Sequence, residues 1–175
     1  MAPQTPRLGE ILAAHGLVTR DQVDLVLERQ RTDGRPFGVL CEEMLGLDPA
    51  FVEAAWVDQY KRLVSNVEAD FAHADAFATQ LVSARQAWQF RIVPIRFDDG
   101  VLVAATTSEH LPRAQRFCQG VLRRTALFVV VDAEELADAL ASQYPIGGLD
   151  ARHVRGGMLT LEKLATESSD AATAA

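Results

Sequence analysis

The sequence predicts an α+β chain: a tandem helix-pair repeat of four short helices, then a small α/β unit with a three-stranded sheet, ordered helix, strand, strand, helix, strand, helix (αββαβα). Three observations carry this expectation. Apolar residues at helical spacing recur, as a block, 29 positions further along the chain. Two β-rich segments flank Asp98-Asp99-Gly100, an Asp-Gly turn signal of a hairpin. The run Thr125 to Val131 is the most strand-like in the chain. With 49% hydrophobic residues among 175, there is enough apolar material to bury a core in one ordinary domain or two small ones.

The repeat comes first. Leu8, Ile11, Leu12 and His15 occupy one helix face at i, i+3, i+4, i+7, and Phe37, Leu40, Cys41 and Met44 do the same after the 29-residue displacement. Val23, Val26, Leu27 and Gln30 are matched in the same way by Val52, Ala55, Trp56 and Gln59. Thr19 with Gln22 forms a capping box, and Asp48 ahead of Pro49 supplies an N-cap and a proline at the first helical position. Gly16 and Gly34 stand where helices end. The bundle is expected over residues 1–64, its helices within Arg7 to Val64. Gln30 and Gln59 interrupt otherwise apolar stripes. An unsatisfied buried amide costs about 1–3 kcal/mol, so each needs either a backbone partner in a neighbouring loop or a ligand.

Residues 65–74, with Glu68 and Asp70, read as a linker. The α/β subdomain is expected over 75–145. A helix near Asp75 to Trp88 places Phe77, Leu81, Ala84 and Trp88 inward, followed by strands Arg91 to Phe97 and Val101 to Thr107. Pro94 suggests an edge for the first strand. A helix near Pro112 to Gln119, ended by Gly120, precedes the strand Thr125 to Val131, which is short enough to be buried on both faces. Asp132 with Glu135 caps a last helix that turns Leu136, Ala139, Leu140 and Tyr144 inward. Residues 146–175 are rich in Gly, Ala, Ser and Thr and are expected to be a flexible tail. Within it, Leu159, Leu161 and Leu164 could dock on a partner, form a transient helix or fold back, and Arg152, His153 and Arg155 read as solvated charges.

Several function classes are excluded on this reading. No apolar run approaches the 18 or so residues that span a bilayer, and Met1 to Glu10 lacks the apolar core of a secretory signal, so the expected location is cytoplasmic, without membrane insertion. A formal charge of −7 argues against DNA or RNA polymers held by general phosphate attraction. Cys41 and Cys118 are far apart and read as buried, reduced hydrophobes. No GxxxxGK[ST] loop occurs, the four histidines show no metal-ligand spacing, Ser83 and Ser108 lack a nucleophile elbow, and Glu42-Glu43 and Glu134-Glu135 fit solvated helix faces. The expectation is therefore no enzyme, no metal and no cofactor.

Arg7-Leu8-Gly9, Leu12, Gly16, Leu17, Val18, Val23, Leu27 and Gln30 resemble the 24-residue motif of the MshEN domain. That domain is the N-terminal, cyclic di-GMP-binding part of type II secretion and type IV pilus ATPases, related to the GspE N-terminal domain. The family motif occurs twice with a five-residue spacer, in keeping with the displacement of 29. Ala13 departs from it, where a larger aliphatic is usual. The second copy departs more: Pro36 stands for the arginine, Phe37 for the leucine, Cys41 and Glu42 for the aliphatic pair and Leu45 for the second glycine, while Gly38, Leu47, Val52 and Gln59 match and Arg35 lies one residue early. Phe90 to Ile95 and the helix ending Gln143-Tyr144 resemble the sheet portion of the same domains, so the resemblance extends from Arg7 to Pro145.

The resemblance implies a ligand set of Arg7, Leu8, Gly9, Leu12, Gly16 and Gln30, with Arg35, Gly38 and Gln59 from the second copy. In chemical terms, Arg7 can pair two acceptors of a guanine edge or a phosphate, and Leu8 can lie against a purine. Gly9 would let a ligand approach the backbone where a helix opens, and Gln30 would present its amide from the facing helix. Alternatively, Arg7 is a surface charge, Leu8 a core residue and Gly9 a packing contact. Because the second copy has lost its arginine, the favoured expectation is a free-standing regulatory adaptor without the ATPase domain, docking on a secretion or pilus ATPase or its platform protein. The alternative is a cyclic di-GMP sensor using the first motif.

Overall fold

A computed structural model of the chain describes residues 6–149 and residue 154. These form eight α-helices and one three-stranded sheet, an α+β fold in the expected order, and they divide into two compact units between Leu63 and Val64. The expected docking segment Met158 to Leu164, and Arg152, His153 and Arg155, lie outside the described residues. No helix among the described residues is long and apolar enough to cross a membrane.

The first unit contains α1 (Leu8–Ala14), α2 (Arg20–Asp33), α3 (Phe37–Leu45) and α4 (Pro49–Leu63). The capping box that opens α2 is reciprocal: Thr19 Oγ1 accepts from the Gln22 N–H at 3.2 Å and Gln22 Oε1 accepts from the Thr19 N–H at 2.8 Å. At the start of α4, Asp48 Oδ1 accepts from the Ala50 N–H at 2.8 Å. Both α2 and α3 end on a left-handed glycine, Gly34 and Gly46, with φ of 67° and 65°. Ile11, Leu12, Val26, Leu40, Cys41 and Ala55 form the core, each fully buried leucine contributing roughly 1.5–3 kcal/mol. The predicted inward stripe of α3 fails at its last member. Met44, in the final turn of α3 where the helix gives way to Gly46, is 39% exposed.

The contacts of the two hairpins are exchanged between the copies, as in an internal pseudo-two-fold. α1 packs on α4 as α3 packs on α2. Gly9 faces Val23 and Phe37, and 29 positions later Gly38 faces Val52 and Leu8, the equivalent pair exchanged between copies. The two glutamines follow the same exchange. Gln30 Nε2 donates to the Arg35 carbonyl at the entry to α3, at 3.1 Å. Gln59 Nε2 donates to the Pro6 carbonyl at the entry to α1, at 3.0 Å. Each amide thus finds the backbone partner its place on an apolar stripe requires, and each hairpin holds the start of the other.

The second unit contains α5 (Ala76–Thr79), α6 (Ala84–Phe90), β1 (Val93–Asp98), β2 (Val101–Thr106), α7 (Leu111–Phe117), β3 (Ala126–Val130) and α8 (Ala133–Gln143). The sheet order is β1-β2-β3, with β1 and β2 antiparallel and β2 and β3 parallel. Pro94 sits on the edge strand β1, beside a register irregularity between Pro94 and Arg96, as its missing N–H requires.

Four local expectations are corrected. The single helix expected from Asp75 to Trp88 is two, because Ser83 and Gln86 form a capping box that starts α6 afresh; Phe77 is consequently 64% exposed and lies against Phe97 at 5.8 Å between ring centroids. The first strand begins at Val93, since Arg91 takes a left-handed φ of 53° to close α6. Gly120 does not end the following helix: α7 runs into a π-helical turn, Cys118–Leu122, closed by Arg123 at φ 52°. The strand expected to be buried on both faces, β3, lies at an edge with only Phe128 and Val129 buried. β2, central in the sheet, is the strand buried along its length.

Behind the sheet, α8 turns Leu136, Ala139, Leu140 and Tyr144 inward, its start capped by Asp132, which accepts from the Glu135 N–H at 2.8 Å. Trp88 Nε1 donates to the Tyr144 carbonyl at 2.7 Å, and the Tyr144 hydroxyl donates to the Thr79 carbonyl at 2.6 Å. These bonds tie the end of α8 to α5 and α6.

Candidate functional site

A cleft of about 880 Å³ opens in the first unit along the start of α1 and one face of α2. Arg7, Leu8, Gly9 and Gln30, four of the residues singled out in the sequence, line it together. Arg7 is the N-cap of α1, its own N–H donating to Glu10 Oε2 at 2.7 Å. Leu8 and Gly9 follow as the first helical residues. Gln30 comes from the far end of α2, its Nε2 engaged by the Arg35 carbonyl, so Oε1 is the group left to accept from a ligand.

The other predicted site residues lie elsewhere. Leu12 is fully buried in the core. Gly16, at φ 70°, lies past the end of α1 and does not line the cleft. Gly38 is buried against Val52 and Leu8, and Gln59 anchors Pro6. Arg35 is held by Glu43 through two contacts, Nη1 to Oε2 at 2.6 Å and Nη2 to Oε1 at 2.5 Å. That hydrogen-bonded pairing holds the Glu43 carboxyl below the usual carboxylate range and raises Arg35 above its ordinary value. Gly9 itself serves packing: a Cβ there would meet Val23 at 2.9 Å and Phe37 at 3.0 Å.

Residues the sequence reading passed over also line the cleft, chiefly Glu10, Arg20 and Asp24, with Val23, Leu27 and Phe37 as its apolar wall. The signal for them was present. Arg20, Val23, Asp24 and Leu27 follow the i, i+3, i+4, i+7 rule on the same face of α2, but charged members of an amphipathic helix read by default as solvated. The cleft therefore sets two guanidinium and two carboxylate groups around an apolar floor. Among the described residues, no cluster of His, Cys, Asp and Glu could hold a metal ion. The two cysteines are buried and free, and burial pushes their thiols up, Cys41 to about 11 and Cys118 to about 12, values unsuited to a nucleophile.

The fold and the cleft define a two-unit α+β module with a helical-hairpin bundle and a mixed sheet, and with its open cleft formed by the bundle. Residues 65–148, the sheet-bearing half, match the family model of the MshEN domain. No curated protein matches. Among solved structures, that of MshE with cdg is similar at 22% sequence identity and a TM-score of 0.42, covering 79% of this chain and 99% of that chain.

Proposed function

We propose that this chain is a non-catalytic regulatory module, related to the N-terminal domains of type II secretion and type IV pilus ATPases, that takes cyclic di-GMP in the cleft of its first hairpin. It acts in the cytoplasm, with residues 65–74 linking the bundle to the α/β half. The observation that carries the reading is the convergence of Arg7, Leu8, Gly9 and Gln30 on one cleft of about 880 Å³, a size within the roughly 300–1,000 Å³ of small-molecule sites. Arg7 and Arg20 supply planar donors for phosphate or for guanine O6 and N7. Leu8 and Leu27 offer apolar surface to a purine face, and Gln30 Oε1 accepts from a base N–H. Isothermal titration of the full chain with cyclic di-GMP tests this. Binding at micromolar affinity or tighter is expected, weakened about 10- to 150-fold by Arg7→Ala, the equivalent of one charge-assisted contact of roughly 1.5–3 kcal/mol. Absence of heat at high ligand concentration would sink the reading.

One observation favours a second reading, an adaptor that docks on the motor ATPase or its platform protein without nucleotide. At the place equivalent to Arg7 the second hairpin has Pro36, and the nearby Arg35 is committed to Glu43. Co-purification with a secretion or pilus component that is indifferent to cyclic di-GMP supports the adaptor; recovery of no such component counts against it.

A further inference from the structure

We infer that one cyclic di-GMP molecule joins two copies of this chain, each giving its first-hairpin cleft to one guanylyl half of the ligand. The inference rests on the cyclic di-GMP reading above and adds what the bundle's internal symmetry says about stoichiometry. The ligand is a two-fold ring: two identical guanines and two phosphodiesters carrying two negative charges. The bundle is also pseudo-two-fold, with Gly9 and Gly38, and Gln30 and Gln59, in equivalent contacts. A bundle whose two faces were alike could meet both halves of the ligand.

The faces are not alike. Moving 29 positions from the charged and small residues of the cleft, Arg7 becomes Pro36, Arg20 becomes Pro49, and Ala13 and Ala14 become Glu42 and Glu43. Glu10 becomes Val39 and Asp24 becomes Glu53. The first face (Arg7, Glu10, Arg20, Asp24) carries a formal charge of zero, whereas the second (Glu42, Glu43, Glu53, and Asp48 in place of Thr19) carries −4, or −3 with Arg35 counted. A face of that sign, with both arginines replaced by prolines, repels a phosphodiester and offers no paired donor to a guanine. The chain thus holds one half-site for a ligand of two equal halves. The second half-site that matches the ligand is the same cleft on another copy, and the ligand's own two-fold axis then generates a closed, isologous pair. In that pair the site is incomplete in either chain alone.

The experiment combines isothermal titration with sedimentation velocity on the full chain, using cyclic di-GMP as the probe. Expected are 0.5 ligand molecules per chain, a doubling of sedimenting mass on adding ligand, and a shift of both to at least 10-fold higher ligand concentration with Arg7→Ala. A Pro36→Arg, Glu43→Ala variant, which restores a guanidinium to the second face and removes a carboxylate from it, should shift binding to one ligand per chain with the mass of a monomer. Binding at one per chain by the unmodified protein, with no change in mass, overturns the inference and leaves the cyclic di-GMP reading standing. A variant that still pairs at half stoichiometry also overturns it, since the missing arginine would then not be the cause. No binding at all overturns the underlying reading and the inference with it.

Discussion

Gly38→Ala is the sharpest probe of the contact that closes α3 on α4 within the second hairpin. A Cβ at this position would lie 2.5 Å from Val52 Cγ1, about 1 Å or more inside the usual carbon–carbon separation of roughly 3.5–4.0 Å. Val52 is β-branched and in the first turn of α4, with one strongly preferred rotamer, so it has little freedom to turn away. Relief must come from moving α3 off α4, the overpacking case that costs about 1–3 kcal/mol. Against this, alanine gains up to about 1 kcal/mol of helix propensity over glycine. The net expectation is a loss of about 1–2 kcal/mol. For a bundle of this size that is about 4–16 °C in the transition that reports the first unit, given roughly 4–8 °C per kcal/mol. Scanning calorimetry on the full chain, with far-ultraviolet circular dichroism alongside, measures it. Gly9→Ala, whose Cβ would meet Val23 at 2.9 Å and the tip of the Phe37 ring at 3.0 Å, should cost less. Gly38→Ala combined with Val52→Ala should recover part of the loss, because the clashing methyl is gone. If Gly38→Ala is as stable as the parent, or the double variant shows only the sum of two losses, the close approach of the helices is not as described.

Gln59→Ala should destabilise by about 1 kcal/mol, the worth of a part-buried hydrogen bond to the Pro6 carbonyl. Gln30→Ala, whose bond to Arg35 is exposed, should cost less in urea denaturation; equal or reversed losses would argue against the difference in burial. Burial, with Arg91 and Arg113 nearby, pushes His110 down to about 4. This lies below the unfolded value of about 6.5, so the unfolded chain binds the extra proton between those two pH values and stability falls as pH drops from 6.5 toward 4. An NMR titration of the imidazole should find its midpoint near the lower figure, and a midpoint near 6.5 would refute the assignment. Cys41 and Cys118 are buried with raised pKa values. Both should resist iodoacetamide at pH 8 in the native chain and each react as its own unit unfolds, whereas rapid native labelling would show that the cores open.

The helices of the first unit were legible because their signals are local: a capping box at Thr19, an N-cap at Asp48, and apolar residues at helical spacing. The exchange between hairpins was not, although its traces were present in the repeated glycines and glutamines. Spacing says which residues share a face; only tertiary placement says that Gln30 serves the entry of α3 and Gln59 the entry of α1. In the second unit the hairpin and the last helix were readable from turn and cap chemistry. The position of β3 in the sheet was not, because an apolar run reads alike in a central and an edge strand. Of the nine site residues named from the sequence, Arg7, Leu8, Gly9 and Gln30 line the cleft and five do not, while Arg20 and Asp24, which do, were missed because charges on an amphipathic helix ordinarily mean solvent.

The two copies also separate structure from chemistry within one chain. Positions that agree across the 29-residue displacement serve the packing: Gly9 with Gly38 and Gln30 with Gln59 contact the opposite hairpin, and Val23 with Val52 close each hairpin on its own glycine. A change at either glycine or either glutamine would disturb both copies at once. Positions that disagree most in charge or backbone character, Arg7 with Pro36, Ala14 with Glu43 and Arg20 with Pro49, have their first member on the cleft wall. A change there leaves the interlock intact. The shared positions therefore maintain the bundle whether or not anything fills the cleft, and what distinguishes the cleft from its counterpart is read from the positions where the copies differ. The second hairpin thus holds the first by Gln59 on Pro6 and Gly38 against Leu8, while the charged residues that line the cleft, Arg7, Glu10, Arg20 and Asp24, all belong to the first.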